Sequence, residues 1–340
     1  MFGERLKRAR HAASLSMKEL GSKVGVSANM IKKYEHGQSM PSSTVLLALS
    51  KTLNVRSEYF FRPVQLSMGQ LNYRKRPSLR QGTIKAIEAE IHDHLERWQL
   101  LDNLWPNPPF RCFNEKPIVV KNGTDVERLA EGIRDRWGLG RSPIAHLTEV
   151  IEQQGIIVMT SDVPTNNTID GMSMTAGEWS IIGTCCSGDG ARQRFTLAHE
   201  LGHLLLESSS EDDFPLEQAC HRFAQALLFP KESVIRAIGH KRHTLAISEL
   251  YHLKHLWGIS MQAICRRAFD LKIINEYAYR ELCKTFSKRD WRRREPGKMI
   301  EREESTRFEQ LVWWAISERI ITQSKGAELL RRPIVDVFTE

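Results

Sequence analysis

The segment from Arg194 to Leu206 constrains the fold and the chemistry of this chain more than any other. It reads RFTLAHELGHLLL, an apolar helix-forming run in which His199 and His203 stand four residues apart. Side chains at this spacing project from one helical face, so both imidazoles can bind a single metal ion. Glu200 lies beside them and is suited to accept a proton from water. Because the other helix faces are apolar, we expect a metal ion, rather than only hydrogen bonds, to compensate the burial of these polar groups.

A third protein ligand has to come from a later segment, because no His-x-x-Gly-x-x-His continuation follows. Glu217 is the predicted ligand, since a helix that begins after Pro215 carries it and buries an apolar face further along. His221 lies four residues after Glu217 on the same face and is an alternative or additional ligand. The other acidic residues in this part of the sequence are Glu207, Glu211, Asp212 and Asp213.

The N-terminal 63 residues carry most of the positive charge of the chain. They contain eleven Lys and Arg residues against four Glu residues, a net charge of +7, whereas the whole chain has a net charge of +8. A basic terminal region on a nearly neutral body favours a polyanionic partner, with nucleic acid the first candidate.

This region is predicted to form four short helices, near 2–13, from Ser16 to about Gly25, over 27–34 and over 43–53. Two helices joined by a glycine-containing turn, the second short, polar and basic, are typical of a major-groove reader. The residues expected to face double-stranded DNA are Ser27, Ala28, Asn29, Lys32 and Lys33.

The segment SMKELGSKVGVSANMIKKYEHGQSMPSSTVLLALSKTLNV resembles the XRE (lambda-repressor-like) helix-turn-helix family. The resemblance rests on the Gly-Val-Ser turn, the Glu-x-Gly after the recognition helix and the proline before the fourth helix. It implies binding to a DNA operator, and such readers usually act as homodimers on two half-sites. The family usually has Gln where this chain has Met17, so one phosphate contact of the family is not expected here.

A second resemblance covers the metal-site segments. RFTLAHELGHLLLE, followed by the pattern ExxxxxFAxxLLxP from Glu217, is similar to the ImmA/IrrE family of metallo-endopeptidases. That resemblance implies Zn²⁺ bound by His199, His203 and Glu217, with Glu200 as the general base. The family more often has Ala-Asn where this chain has Cys220 and His221.

The rest of the sequence predicts an α+β fold that is mainly helical. Apolar runs at 155–159 and 179–183 predict strands of a small sheet, and the chain after Phe195 is expected to be almost entirely helical. We expect a helix-turn-helix domain over 1–63, a connector with a long helix over 64–123, a zincin-like peptidase domain over 124–285 and a helical region over 286–340. The long helix is predicted because apolar residues of the connector recur at three- and four-residue steps, namely Ile84, Ile87, Ile91, Leu95, Trp98 and Leu101. No apolar run is long enough to span a membrane, no secretory signal is evident, and the six cysteines form no CxxC pair. These features predict a cytoplasmic protein with free thiols.

Two functions are compatible with these features. The first is a DNA-binding transcriptional regulator whose zinc endopeptidase domain cleaves a protein partner, which is a repressor, a toxin or the chain itself. The second is a non-proteolytic, autoregulated repressor or the antitoxin of a toxin–antitoxin module, in which the zinc-site domain is a sensor or a docking scaffold. The intact HExxH favours the first, because a scaffold has no need of Glu200.

Overall fold

The computed structural model describes residues 2–61, 72–73, 81–105, 108–161, 163, 170–185, 188–209, 214–292 and 294–334. Within them the chain is mainly helical with two small sheets, and this confirms the predicted α+β class. The predicted acidic alternatives Glu211, Asp212 and Asp213 lie outside the described residues. The part of the chain that the structure describes contains no helix long and apolar enough to cross a membrane.

Four helices and a 3₁₀ turn form the N-terminal bundle. They are α1 (Phe2–Ala12), α2 (Met17–Val24), α3 (Ala28–Glu35), α4 (Ser43–Thr52) and the turn Ser57–Phe61. The Ser16 hydroxyl accepts from the Glu19 amide and the Glu19 carboxylate accepts from the Ser16 amide, which is a capping box. Gly25 ends α2 with φ 76°, a left-handed conformation that glycine adopts at little cost. The predicted helix boundaries therefore agree with the structure to within one or two residues.

A long helix, α5 (Gln81–Asp102), follows the bundle. Five of the six residues of the predicted stripe are buried, namely Ile87, Ile91, Leu95, Trp98 and Leu101, and Ile84 is half-buried. The opposite side of α5 contacts α1, where Glu96 accepts hydrogen bonds from Arg5 and Arg8. The bundle is thus held to α5 by buried and half-buried ion pairs.

The main sheet has four strands in the order β1–β4–β5–β3. These strands are β1 (Asn72–Tyr73), β3 (Ile156–Ser161), β4 (Gly171–Ala176) and β5 (Trp179–Cys185). β4 pairs antiparallel with both β1 and β5, whereas β3 is parallel to β5. A separate parallel pair joins β2 (Ile118–Val120) to β6 (Leu206–Ser208). The two predicted strands are confirmed as β3 and β5, and the other four strands of the described residues were not predicted.

Helices cover both faces of the main sheet. In the described residues after α5 the helices are α6 (Gly123–Arg136), α7 (Leu147–Gln153), α8 (Gly190–Leu205), α9 (Leu216–Leu228), α10 (Lys231–Ile238), α11 (Ile247–Trp257), α12 (Met261–Asp270), α13 (Glu276–Lys288), α14 (Arg307–Ser317) and α15 (Gln323–Leu330). One face of the sheet packs on α5 and on α14 and α15, through a core that includes Trp98, Phe308 and Leu311. The other face packs on α8, which lies between the sheet and α9 in the main core.

Candidate metal centre and DNA-binding face

The candidate metal centre lies between α8 and α9, which approach each other closely at Gly202. A Cβ atom built on Gly202 would lie only 3.2 Å from Cα of Cys220. The helices can come this close because glycine has no side chain. As a result, the face of α8 that carries His199 and His203 meets the first turn of α9, which carries Glu217.

The donor atoms of His199, His203 and Glu217 converge on one point. The two histidine Nε2 atoms are 3.1 Å apart. One carboxylate oxygen of Glu217 lies 3.2 Å from Nε2 of His203 and the other lies 3.6 Å from Nε2 of His199. Tetrahedral zinc with bonds of about 2.0–2.1 Å places its ligand atoms about 3.3–3.4 Å from one another. Two imidazoles and a carboxylate at these separations therefore fit a single metal ion.

Glu200 lies next to this cluster and is held by the main sheet. Its side-chain oxygen accepts a 2.8 Å hydrogen bond from the hydroxyl of Ser173 on β4. β4 lies close to α8 because Gly171 lacks a side chain: a Cβ there would come within 2.4 Å of Thr196 and 3.2 Å of Cγ of Glu200. An oxygen of Glu200 lies within 4.8 Å of nitrogens of both histidines. Ser173 was not predicted, because nothing in a short strand marks one serine as the partner of a distant glutamate.

His221 also reaches the cluster. Its ring centroid lies 4.5 Å from that of His199, and its nitrogen lies within 4.8 Å of ligand atoms of His199 and Glu217. The side chain is exposed, unlike that of His203. The structure therefore brings together His199, His203, Glu217 and His221, and the choice of the first three over a set that includes His221 stays a prediction.

A cleft of about 1410 Å³ opens beside Glu217 and His221. Apolar and aromatic side chains form part of its wall, among them Phe195, Phe214 and Trp291. Arginines line it as well, including Arg292 and Arg294 of the basic segment that follows α13. The cleft is large enough to accept an extended peptide. It was not predicted, because its walls come from segments that are distant in the sequence.

The predicted DNA-binding residues all lie at the surface of α3 or at its N-cap. Ser27 caps α3 by accepting a hydrogen bond from the amide of Met30. The other faces of α3 are anchored: Ile31 and Tyr34 are buried, and Arg10 of α1 makes two hydrogen bonds of 2.6 and 3.0 Å to Glu35. The exposed residues are Ser27, Ala28, Asn29, Lys32 and Lys33. Their contact with DNA stays a prediction.

Each of these two regions matches a known protein family. Residues 6–60 match the family described as helix-turn-helix, and residues 185–269 match the IrrE N-terminal-like domain, which is a family of metallopeptidases. The HTH-type transcriptional regulator ImmR of Bacillus subtilis is 30% identical over 92 residues, which are 27% of this chain and 68% of that protein. The chain belongs to the HTH-type transcriptional regulators.

Two further relatives are similar to parts of this regulator. A protein of Pyrococcus furiosus named as an HTH-type transcriptional regulatory protein is 24% identical over 160 residues, which are 46% of this chain and 47% of that protein. An uncharacterized transcriptional regulator of Rhodospirillum rubrum is 35% identical over 63 residues, which are 18% of this chain and 58% of that protein. The regulator thus spans about half the length of the first relatives that it matches. Its helix-turn-helix bundle implies DNA binding, and its second matched region is an IrrE-like domain.

Proposed function

We propose that this regulator binds an operator through α3 and that its IrrE-like region is a zinc-dependent endopeptidase that cleaves a protein. The observation that carries the proposal is the convergence of His199, His203 and Glu217 within 3.1–3.6 Å of one another, with Glu200 alongside. Three protein ligands leave one tetrahedral position open, which is the arrangement of catalytic rather than structural zinc sites.

The residues around the cluster have separate roles in the proposed reaction. Zinc, when bound, supplies a Lewis acid that polarises a peptide carbonyl and lowers the pKa of water. Glu200 accepts the proton of the attacking water and passes it to the leaving nitrogen. The Ser173 hydroxyl orients Glu200 by its 2.8 Å hydrogen bond, and Ser173 is therefore a positioning residue. The adjacent cleft holds the polypeptide.

The bundle supplies the second half of the proposed function. Lys32 and Lys33 are exposed on the short α3, whose inner face is fixed by Ile31, Tyr34 and the Arg10–Glu35 ion pair. A rigid helix with cations on its outer face suits entry into a major groove. Homodimerisation on two half-sites is part of the proposal.

The proposal is tested with Glu200→Gln, which removes the proton acceptor but keeps the shape of the side chain. The zinc-loaded wild type should cleave fluorescently labelled casein, and the variant should lose at least about 100-fold of that rate, a typical contribution of general base catalysis. Zinc content and operator affinity should be unchanged in the variant. Glu207→Gln, at an exposed position just beyond α8, is the matched control.

Equal casein cleavage by Glu200→Gln and the wild type would contradict the proposed mechanism. No cleavage by either protein, with zinc bound, would point instead to a docking scaffold. In cells, normal regulation by Glu200→Gln would show that proteolysis has no part in the regulatory output.

A further inference from the structure

The wall of the cleft beside Glu217 and His221 carries both signs of charge. Among the residues that the structure describes, its charged side chains are five arginines, Arg192, Arg222, Arg266, Arg292 and Arg294, and four acidic residues, Asp189, Glu217, Asp270 and Glu295. Most of these side chains already bond to other groups of the protein. The charge that a ligand meets is therefore set by those that do not.

The acidic residues of the wall are engaged within the protein. Glu217 faces the two histidines of the candidate metal centre. Asp270 lies 3.0 Å from the guanidinium of Arg266, and Asp189 accepts a 3.0 Å hydrogen bond from an amide in the first turn of α8. Glu295 caps α12 in the way set out below. These four carboxylates are thus not available to attract a cationic ligand.

The arginines fall into two groups. Arg192 and Arg222 donate to carboxylates elsewhere in the protein at 2.8 and 2.6 Å, and Arg266 pairs with an acidic residue of the wall. Arg292 and Arg294 are exposed, and their guanidinium groups make no hydrogen bond or ion pair with the described residues. A guanidinium presents its donors as a fork that matches the two oxygens of a carboxylate. The wall therefore offers two unpaired cations to which a carboxylate is complementary.

The segment that carries these two arginines is anchored on both sides. Before them, the carbonyl of Trp291 accepts a 3.2 Å hydrogen bond from the side-chain amide of Gln262. After them, the carboxylate of Glu295 accepts from two amides at the start of α12 at 3.0 and 3.2 Å. Glu295 also lies 3.1 Å from the ammonium group of Lys254, which is only 1% exposed. Because this backbone is fixed before a ligand binds, less entropy is lost on binding.

The size of the cleft limits what can reach the two arginines. A volume of about 1410 Å³ has a mean width of about 11 Å, which is about three residues of extended chain at about 3.3 Å per residue. The major groove of DNA is by itself about 12 Å wide, so a duplex is too large to enter. Phe195 and Trp291 give the wall aromatic surface for peptide side chains. The ligand that fits the cleft is therefore an extended peptide.

We infer that Arg292 and Arg294 bind a carboxylate side chain of the substrate, so that the proposed endopeptidase cleaves acidic segments of polypeptide. This inference rests on the proposed function. Because Glu217 and the two arginines line the same cleft, the Asp or Glu of the substrate should lie within about three residues of the cleaved bond. Arg292 and Arg294 thus determine specificity and take no part in the bond cleavage itself.

The test begins with the zinc-loaded full chain and a mixture of synthetic peptides of randomised sequence. Mass spectrometry of the products gives the frequency of each amino acid around the cut. For the wild type, Asp and Glu should be enriched within about three residues of the cut, and Arg292→Gln with Arg294→Gln should abolish this enrichment. Lys284→Gln with Lys288→Gln is the matched control. It removes the same charge from exposed positions on α13 that do not line the cleft, and it should keep the enrichment.

A second measurement compares the best-cleaved acidic peptide with its counterpart that has Asn or Gln in place of the acid. The ratio of their kcat/KM values should fall at least about tenfold in Arg292→Gln with Arg294→Gln. A general loss of active protein would lower both values and leave the ratio unchanged. Arg292→Glu with Arg294→Glu should reverse the preference in favour of a counterpart with Lys. In the wild type the ratio should fall between about 0.05 M and about 0.5 M NaCl, because salt screens exposed charges.

The outcomes separate this inference from the proposed function. Cleavage of the peptides and of casein without enrichment of Asp or Glu would overturn the inference and leave the endopeptidase standing. An equal loss of preference in Lys284→Gln with Lys288→Gln would also overturn it, because the net charge of the chain would then be the cause. Weaker operator binding by the arginine variant, with its peptide preference unchanged, would assign the arginines to DNA instead. No cleavage of the peptides or of casein would refute the proposed function and, with it, this inference.

Discussion

Glu152 should make the stability of this protein fall as the pH rises through neutrality. The residue lies at the end of α7 and is only 3% exposed. It faces the start of α14, where the hydroxyl of Ser305 donates to it at 2.6 Å and the amides of Thr306 and Arg307 donate as well. Burial raises its pKa from the ordinary 4.5 to about 7, because the hydrogen bonds do not compensate for the lost hydration.

The size of the effect follows from the two pKa values. In the unfolded chain Glu152 loses its proton near pH 4.5, whereas in the folded protein it keeps the proton until about pH 7. Between these values the folded state binds more protons, so the free energy of unfolding falls as the pH rises. This pKa difference of about 2.5 corresponds to a contribution of about 3 kcal/mol to the free energy of unfolding. About 2.5 kcal/mol of this contribution is lost between about pH 5 and pH 8.

Glu152→Gln isolates this contribution, because the amide does not titrate. Loss of one acceptor oxygen lowers the stability of the variant by a pH-independent amount of about 1 kcal/mol. The prediction therefore concerns the change of the free energy of unfolding with pH. Between about pH 5 and pH 8 the free energy of unfolding of the wild type should fall by about 2.5 kcal/mol more than that of the variant. Urea unfolding followed by tryptophan fluorescence measures both curves. Glu149→Gln, at an exposed position on the same helix, should keep the wild-type slope.

Parallel curves for the wild type and Glu152→Gln would refute this reasoning, since Glu152 would then have an ordinary pKa in the folded protein. A wild type that gained stability relative to the variant as the pH rises would contradict the sign. That result would mean that the amides at the start of α14 stabilise the carboxylate by more than burial destabilises it.

Three further variants test the packing and the DNA-binding face. Gly202→Val should lower the free energy of unfolding, measured in urea, by about 1–3 kcal/mol, because the introduced side chain meets the backbone of α9. The same substitution should weaken zinc binding, because it displaces that helix. Arg267→Met should lower the free energy of unfolding by about 1.5–3 kcal/mol, because it removes hydrogen bonds to the buried Glu127, which keeps its ion pair with Arg222. Lys32→Ala with Lys33→Ala should weaken operator binding and reduce the slope of log K against log salt by about 2 in fluorescence anisotropy.

Each of these has a matched control. Gly132→Val on α6 places its side chain against only the flexible end of Arg136 and should be nearly neutral. Arg266→Met removes a half-exposed pair with Asp270 and should cost less than about 1 kcal/mol. Lys284→Ala on α13 should leave DNA binding unchanged. A control as severe as its test variant would contradict the corresponding assignment.

The local features of the fold could be predicted because their causes are local in the sequence. The capping box at Ser16 and the glycine stop at Gly25 set the boundaries of α2, and the long apolar stripe predicted α5. β4 and β1 were not predicted, because neither has an apolar run of strand length. β4 exists because β5 pairs along its whole length, which is a tertiary cause.

The candidate metal centre also has some features with local causes in the sequence and others that depend on tertiary contacts. The spacing of His199 and His203 on one helix predicts their convergence, and the start of a helix after Pro215 placed Glu217 within reach. The roles of Ser173 and Gly171 depend on which strand packs over α8, and no sequence pattern specifies that contact. The cleft could not be predicted for the same reason, since α9, α12 and the segment after α13 meet only in the folded chain.

The central claim, a metal centre formed by His199, His203 and Glu217, is tested most directly by metal content. Protein purified without added metal or chelator is measured by mass spectrometry as wild type, Glu217→Ala and the control Glu207→Ala. We predict about one zinc per chain in the wild type and the control, and its loss in Glu217→Ala. A wild type without metal would contradict the claim, and zinc retained in Glu217→Ala would assign the third ligand to another residue, with His221 the first to test.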